Sequence, residues 1–407
     1  MIQLLLFYIT IILFINNDAA AAANNNNNIQ LHLIPHTHCD VGWLETTDAL
    51  ARMNVSRILD GVVANLQNGS IPSRRRFVWD EMAFLSRWWA DEKTSDEQRN
   101  NFVRLVKNGQ IELADNGWSQ HDMGATTVNS MLANWDEGHQ WLKKHGLPRP
   151  KIGWSLDPFG ISSTQATLQS LMGFDAWFFT RISANDVASR KQDKSLEFIW
   201  QSSSSLPIAT TEIFAHVFES YYCMPLPTYA FEWGPPLGGA PPPPWNDTYR
   251  LYLSENLANI TKGRAGWFRT PNVLIPWGCD YQYQNAALVY DATDILIDTI
   301  NQHPEWGVDV RYSTPSEYLM ALQQDETLEL PIKKSGNSFF PYVPNPKQGA
   351  WSGYFTSRPI LKGASRVSEN LLHAAEILYI KASNALSNMM KSDLWNQLEI
   401  STHFFIL

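Results

Sequence analysis

From residue 29 onward, short apolar runs alternate with stretches of helical character, and this alternation constrains the fold more than any other feature. It is typical of repeated β-α units around a mainly parallel sheet. The best-marked helix starts at Thr94-Ser95, with Glu97 and Gln98 as candidate capping-box partners, and ends at Gly109. The fold class is therefore predicted to be α/β. We predict strands at 30–35, 76–79, 110–114, 151–156, 175–180, 213–217, 272–276 and 308–312.

The beginning of the chain has the features of a signal peptide. An apolar run from Ile2 to Ile15 is too short to cross ~30 Å of hydrocarbon, and small residues follow it. We therefore assign 1–23 to a signal peptide and 24–28 to a polar asparagine leader. An uncleaved anchor or a buried helix is the alternative. Downstream of this segment no stretch is long and apolar enough to span a membrane.

The remaining composition fits a lumenal glycoprotein of the secretory route. Four Asn-x-Ser/Thr sequons begin at Asn54, Asn68, Asn246 and Asn259, as a secretory route would allow. Three cysteines permit at most one internal disulfide. The 40 acidic residues exceed the 31 basic ones, giving a net charge of −9, and no basic block is present to bind phosphates. Nucleic acid is therefore excluded as a partner.

The pattern changes near Phe339, where a second region begins. The segment from Trp351 leads into a helix whose apolar residues recur every three or four positions. Such an amphipathic helix needs partner helices of similar length, and only 392–407 follow it. We therefore predict a barrel-like catalytic domain over 29–345 and an incomplete helical bundle over 346–407. The apolar positions of this helix are Val367, Leu371, Ala374, Leu378, Ala385 and Met389.

The first strand runs directly into a candidate metal site. Alternate residues of an extended chain share a face, so His36, His38 and Asp40 point together while Cys39 points away. Imidazole and carboxylate ligands at this spacing suit a cation such as Zn²⁺. The alternative is a pair of strand-end histidines that are satisfied by hydrogen bonds.

Two further acids, Asp157 and Asp280, also follow apolar runs. Alone, Asp157 before Pro158 could simply cap a helix, and Asp280 could be a solvated loop residue. However, β/α barrels collect their functional groups at the C-terminal ends of the strands. Two carboxylates beside a metal, surrounded by aromatic rings, suit glycosidic cleavage. Candidate rings that could stack on a sugar are Trp43, Trp118, Phe159 and Trp351, although each could equally belong to the core.

Four motifs together resemble the α-mannosidases of glycoside hydrolase family 38, and more closely their lysosomal branch. They are His36-Thr-His-Cys-Asp-Val-Gly-Trp43, Trp154-Ser-Leu-Asp-Pro-Phe-Gly160, Gly278-Cys-Asp-Tyr-Gln-Tyr283 and Trp351-Ser-Gly-Tyr-Phe-Thr-Ser-Arg-Pro359. The resemblance implies a seven-stranded β/α barrel, then a three-helix bundle and β-sandwich domains. It also implies retaining hydrolysis of terminal α-linked mannose from glycoprotein-derived oligosaccharides.

The same resemblance assigns roles by position. It makes His38 and Asp40 zinc ligands, Asp157 both zinc ligand and nucleophile, and Asp280 the general acid/base. It places Arg181 near the nucleophile and leaves His36 outside the ligand set. The aromatics that it assigns to the sugar pocket are Trp43, Phe159 and Trp351.

The sequence departs from the family in two places. Asn116 stands where the family has glycine, and Met123 replaces a glutamate after Asp122. The other departure is Phe404, which follows His403 where the family has a second histidine that binds zinc. We therefore expect a truncated α-mannosidase. The alternatives are an inactive remnant that binds mannosyl groups, and a metal-dependent polysaccharide deacetylase, which explains only the first motif.

Overall fold

A computed structural model describes residues 28–67, 74–225, 241–334 and 336–382. The predicted signal peptide, residues 24–27 of the leader, the sequon at Asn68, much of the proline-rich stretch 234–245 and the His403 region lie outside the described residues. The strands in the described ranges are β1 (Ile29–Pro35), β2 (Phe77–Trp79), β3 (Ile111–Leu113), β4 (Ile152–Ser155), β5 (Ala176–Phe179), β6 (Glu197–Gln201), β7 (Glu212–Val217), β8 (Asn272–Trp277), β9 (Val308–Tyr312) and β10 (Ile332–Lys333).

These strands form three sheets, with orders β8-β1-β9, β2-β3 and β10-β6-β7-β5-β4. All pairs are parallel except β6 and β7, which are antiparallel. The predicted α/β class with a mainly parallel sheet is therefore confirmed, and all eight predicted strands are present. Strands β6 and β10 escaped prediction because only a short 3₁₀ helix, and no α-helix, separates β6 from β7, and because β10 has only two residues.

Backbone contacts, most of them near the C-terminal ends of the strands, connect the three sheets. A bridge joins the end of β1 to β2, and hydrogen bonds join the end of β3 to β2 and to β4. A further hydrogen bond joins the chain beyond β7 to the chain beyond β8. A closed seven-stranded ring stays a prediction. The contacts are His36 with Val78, Ala114 N to Trp79 O, Asp115 N to Ile152 O and Met224 N to Gly278 O.

Helices connect most of the strands. They are α1 (Thr47–Leu50), α2 (Ser56–Gln67), α3 (Met82–Ala90), α4 (Asp96–Lys107), α5 (Val128–Lys144), α6 (Ser163–Met172), α7 (Ala184–Asp193), α8 (Asp247–Ala265), α9 (Ala286–Asn301), α10 (Pro315–Gln323) and α11 (Pro359–Ala382). Ser95 caps α4, and Gln98 completes the predicted capping box. Gly109 follows α4 with a φ of 78°, a conformation that glycine adopts readily. No described helix has the length and apolar character needed to cross a bilayer.

One disulfide joins Cys223 to Cys279, and Cys39 is a buried free thiol. This agrees with the limit of at most one internal bridge. The disulfide connects the chain beyond β7 to the chain beyond β8, which belong to different sheets. A covalent bond therefore crosses between two sheets close to the strand ends.

Helix α11 differs from the other long helices because none of its residues is buried. Side-chain hydrogen bonds fasten it to the rest of the molecule: Thr127 donates to Glu369, Arg366 donates to the carbonyl of Ala125, and Lys362 donates to the carbonyl of Tyr354. Its apolar stripe is exposed, as at Leu371 and Leu378. The predicted three-helix bundle remains a prediction.

Candidate active site

The candidate residues lie in loops at the C-terminal ends of β1, β4 and β8. Two backbone hydrogen bonds tie the first and last of these loops together: His38 N donates to Cys279 O (3.2 Å), and Tyr281 N donates to His38 O (2.9 Å). Gly278 permits this approach, because a Cβ placed on it would lie 1.8 Å from His36 O. The loop that carries His38 and Asp40 and the loop that carries Asp280 therefore have a fixed relation.

Three of the predicted ligands converge on one point. Ligand atoms of His38, Asp40 and Asp157 all lie within 4.8 Å of one another. His38 Nε2 is 3.3 Å from Asp40 Oδ1 and 3.9 Å from Asp157 Oδ2. This nitrogen is buried and has no hydrogen-bond partner. An unpartnered imidazole nitrogen between two carboxylates fits a divalent cation, for which these are suitable ligands.

A buried carboxylate, Glu81, completes the surroundings of His38. Its Oε1 lies 3.2 Å from His38 Nδ1 and accepts a hydrogen bond from Cys39 N. Burial lowers the pKa of His38, but the carboxylates of Asp40 and Glu81 outweigh burial and raise it well above its ordinary value. A carboxylate on the far nitrogen of a histidine orients the near nitrogen toward a metal. The negative groups around this imidazole therefore favour a cation.

Asp157 is held by a buried arginine. Arg181 donates to Asp157 Oδ1 through Nε, at 2.5 Å, and through Nη2. Arg181 also donates to the hydroxyls of Tyr221 (2.8 Å) and Tyr342 (3.1 Å). Burial lowers the pKa of this guanidinium, but Asp157 outweighs that effect and raises it. The alternative role of Asp157 as a helix cap is wrong, since α6 starts only at Ser163 and Ser162 caps it.

Tyr222 connects Asp157 and Asp280. Its hydroxyl lies 3.2 Å from Asp157 Oδ1 and 2.8 Å from Asp280 Oδ1. These two oxygens are therefore no further apart than the sum of the two distances, about 6 Å. Burial raises the pKa of Asp280, while His38 and the Tyr222 hydroxyl lower it; the net direction is upward. A carboxyl group with a raised pKa is suited to donating a proton.

A group of aromatic rings surrounds Arg181 on the solvent side. Phe159 and Trp351 meet edge to face with centroids 5.0 Å apart, and Trp351 lies 5.3 Å from Tyr342. The Arg181 Cζ is 5.1 Å from the Phe159 centroid and 5.3 Å from that of Trp351. Trp351 keeps 38% of its surface exposed. This cluster offers apolar faces beside the two carboxylates.

Among the described residues, three other candidates form no hydrogen bond or ring contact with the two carboxylates or with the aromatic cluster around Arg181. Trp43 is 57% exposed in the loop after Asp40, and the ring contacts of the described residues do not link it to the cluster around Arg181. Trp118 is buried, which agrees with its alternative assignment to the core. His36 bonds through Nε2 to Tyr222 O (2.7 Å), and burial lowers its pKa to about 3. Of the two histidines His36 and His38, only His38 lies next to Asp40 and Asp157.

Of the two departures near residue 120, Asn116 has a structural explanation, whereas the structure does not explain Met123. Asn116 has a φ of 53°, which asparagine tolerates better than most residues, and its side-chain amide donates to the carbonyls of Trp79 and Asp80. Asp122 lies beside the site, where its Oδ1 accepts from Phe159 N (3.3 Å). Burial, with further contributions from Asp157 and Asp40, raises the pKa of Asp122 to about 6.

Sequence reasoning missed Glu81, Tyr222 and Tyr342. Glu81 follows β2 in the same way that Asp157 follows β4, so the rule of strand-end acids could have found it. Tyr222 lies well beyond the end of β7, and Tyr342 lies outside the strand-end loops. Neither tyrosine has a sequence signal that would indicate its contacts.

The fold and the donor set place a candidate metal site and a neighbouring carboxylate at the strand ends of an α/β domain. Comparison with known proteins gives the family of the chain. Residues 28–345 match the family model described as the N-terminal domain of glycosyl hydrolases family 38. The chain belongs to this family.

Among curated relatives, the chain is 34% identical to the lysosomal alpha-mannosidase of Dictyostelium discoideum, over 91% of this chain and 36% of that protein. It is 36% identical to the epididymis-specific alpha-mannosidase of Homo sapiens, over 87% of this chain and 36% of that protein. The chain therefore spans about a third of the length of these relatives.

A solved structure supports the fold. An alpha-mannosidase from Enterococcus faecalis V583 superposes with a TM-score of 0.55 at 17% identity, over 76% of this chain and 30% of that chain. At this identity the likeness concerns the fold alone.

Proposed function

We propose that this chain hydrolyses terminal non-reducing α-D-mannose residues of glycoprotein-derived oligosaccharides with retention of configuration. Membership of family 38 and the names of the curated relatives support the substrate class. The observation that carries the mechanism is the Tyr222 hydroxyl, which contacts both Asp157 and Asp280.

The separation of the two carboxylates favours retention. Their facing oxygens are at most about 6 Å apart. Retaining enzymes have carboxyl groups ~5–5.5 Å apart, whereas inverting enzymes need ~6.5–9.5 Å to admit a water molecule. The gap here suits direct attack on the anomeric carbon.

Each carboxylate then has one role in each half of the reaction. Asp157 attacks the anomeric carbon, with its charge balanced by Arg181, and forms a covalent glycosyl-enzyme. Asp280, whose pKa burial raises, donates its proton to the departing oxygen. In the second half Asp280 takes a proton from the attacking water, and the bond to Asp157 breaks.

We propose Zn²⁺ as the cofactor, with His38, Asp40 and Asp157 as its ligands. The buried, unpartnered Nε2 of His38 between two carboxylates is the structural support for this assignment. When bound, zinc would polarise hydroxyl groups of the sugar. Glu81 would hold His38 in the orientation that the metal requires.

The mannose ring is proposed to bind against Trp43, Phe159, Arg181 and Trp351. Phe159 and Trp351 already lie next to Arg181, and the exposed Trp43 would join from the loop that carries Asp40.

The barrel is proposed to be closed by seven strands, because the contacts that link the sheets connect them in the order β8, β1, β2, β3, β4, β5 and β7. Helix α11 is proposed to begin a helical bundle. A signal peptide and a lysosomal or secreted location complete the proposal.

The test measures hydrolysis of a chromogenic aryl α-D-mannoside. Proton NMR identifies which anomer of mannose is released first. We expect α-mannose as the first product. Asp157→Asn should abolish turnover, and Asp280→Asn should lower kcat for a mannosyl disaccharide ~10²–10⁴-fold. Asp175→Asn is the matched control, since Asp175 is exposed before the N-terminal end of β5. An inert wild-type chain would favour the inactive remnant, and β-mannose as first product would contradict retention.

A further inference from the structure

We propose that the Cys223–Cys279 disulfide is a positioning cross-link that holds Tyr222 between Asp157 and Asp280. The proposal rests on the hydrolytic roles given to these carboxylates above. It adds a structural requirement for their alignment: the acid and the nucleophile keep their separation because a covalent bond fixes the tyrosine that contacts both.

The need for such a cross-link follows from the topology. Asp157 follows β4 in the five-stranded sheet, and Asp280 follows β8 in the three-stranded sheet. No strand pairing in the described residues joins β7 to β8, so ladder hydrogen bonds do not set the distance between the two carboxylates. Contacts beyond the strand ends must set it.

The disulfide lies at the point where these contacts meet. Cys223 directly follows Tyr222, and Cys279 directly precedes Asp280, with their Cα atoms 4.4 Å apart. The bond therefore joins the immediate neighbours of two residues that are themselves hydrogen-bonded at 2.8 Å. A small ring results, closed on one side by the disulfide and on the other by the bond from the Tyr222 hydroxyl to Asp280.

Further contacts restrain the same segment but are not covalent. Met224 N donates to Gly278 O (3.0 Å), and His36 Nε2 donates to Tyr222 O (2.7 Å). The Tyr222 ring is buried against Tyr221 and His38. Breaking the disulfide would leave these interactions to hold the Tyr222 hydroxyl, and the alignment of Asp280 with Asp157 would loosen.

The kinetic test uses the full chain with Cys223→Ser and Cys279→Ser combined. Poor alkyl leaving groups need the proton from Asp280, whereas a nitrophenolate leaves without much help. We expect kcat to fall about tenfold on a mannosyl disaccharide, a part of the ~10²–10⁴-fold that proton transfer contributes, and less than about threefold on nitrophenyl α-mannoside. KM should change little. An equal loss on both substrates, or no loss, would overturn the proposal.

Reduction of the folded wild-type protein provides a second route that does not depend on folding of the variant. A phosphine reductant breaks the S–S bond, and each sulfur gains an electron and a proton to become a thiol. The count of free thiols should rise from one to three, and the substrate-dependent loss should appear. The double variant is the matched control: the same treatment should leave its kcat unchanged, and a change there would mean that the reductant acts elsewhere.

Hydrogen exchange separates this inference from the proposed function. On reduction, the amides of Met224 and Tyr281 should exchange faster, while amides within the β4–β5 ladder should not change. If the wild-type chain proves inert but these amides accelerate, the hydrolytic proposal fails and the cross-link stands. If the chain is active and neither the amides nor kcat respond to reduction, the cross-link proposal is wrong.

Discussion

The strand-end site and helix α11 belong to the same polypeptide, yet their side chains differ in burial and in the number of contacts they make. Arg181, Tyr222 and His38 are buried, and each contacts groups from several loops. Leu371 and Leu378 on α11 are each 66% exposed. The helix forms because its sequence has helical periodicity, whereas the site exists only because distant segments converge.

This difference predicts where substitutions will have large effects. A change at the strand ends must disturb several partners at once, because packed interiors have few voids that could absorb it. A change on the exposed stripe of α11 should remove few contacts, because these side chains are not buried against other described residues. Matched pairs of identical substitutions in the two regions therefore test the comparison directly.

The largest expected contrast is between Gly278→Ala and Gly363→Ala. The new Cβ at position 278 would lie 1.8 Å from the backbone oxygen of His36, where no flexible side chain can move aside. We expect a loss of at least ~4–5 kcal/mol of the free energy of unfolding, at the upper end of single-residue effects. Gly363, inside α11, has no atom within 4 Å of the added Cβ. Alanine there should stabilise by ~0.5–1 kcal/mol.

Chemical denaturation monitored by circular dichroism measures both values. A Gly278→Ala protein that unfolds at the wild-type denaturant concentration would show that the β1 and β8 loops do not approach so closely. A destabilised Gly363→Ala protein would show that α11 is covered by a partner at this position.

The second contrast is between Leu33→Ala on β1 and Leu371→Ala on α11. Leu33 is fully buried, so we expect its truncation to cost ~2–5 kcal/mol, the usual range for a core leucine. Leu371 is mostly exposed, and its truncation should change stability by less than ~0.5 kcal/mol. The same denaturation measurement applies. A large loss at Leu371 would break the comparison, because it would require a buried contact on the stripe.

Strand positions could be predicted from the sequence because local patterns determine them. The run around Ile152 is largely apolar, and the residues from Val308 alternate between apolar and charged; both segments form strands. The family resemblance also indicated that His38, Asp40 and Asp157 would meet, and the structure brings them together. Their roles in catalysis remain predictions.

The sequence could not indicate contacts that depend on which sheets adjoin. The position of Tyr222 between two carboxylates follows from the approach of the β7 and β8 loops, and no periodicity marks that approach. Arg181 was placed near Asp157 by resemblance, but its hydrogen bonds to Tyr221 and Tyr342 depend on loops far apart in the chain. Local patterns specify elements, whereas the site depends on their packing.

The smallest contrast concerns pH and compares His32 on β1 with His373 on α11. His32 is fully buried, between Asn272 (3.1 Å) and Ser313 (2.9 Å), with an Arg311 nitrogen 3.2 Å away. Burial, together with the charge of Arg311, lowers its pKa from 6.5 to about 3. The unfolded chain therefore binds a proton at this residue that the folded chain refuses between about pH 6.5 and pH 3. The stability that the neutral imidazole contributes is complete above pH 6.5 and is lost progressively as the pH falls through this window.

From pH 7 to pH 5, this one residue should lower the free energy of unfolding by about 2 kcal/mol. His32→Gln should remove that dependence, so the difference between variant and wild type should shrink by the same amount over this range. His373→Gln is the matched control, because the His373 side chain is 62% exposed and the substitution should leave the pH profile unchanged. Denaturation curves at pH 7, 6 and 5 measure all three proteins. If His32→Gln retains the full wild-type slope, His32 is protonated in the folded state, and the buried side of the comparison loses its electrostatic basis.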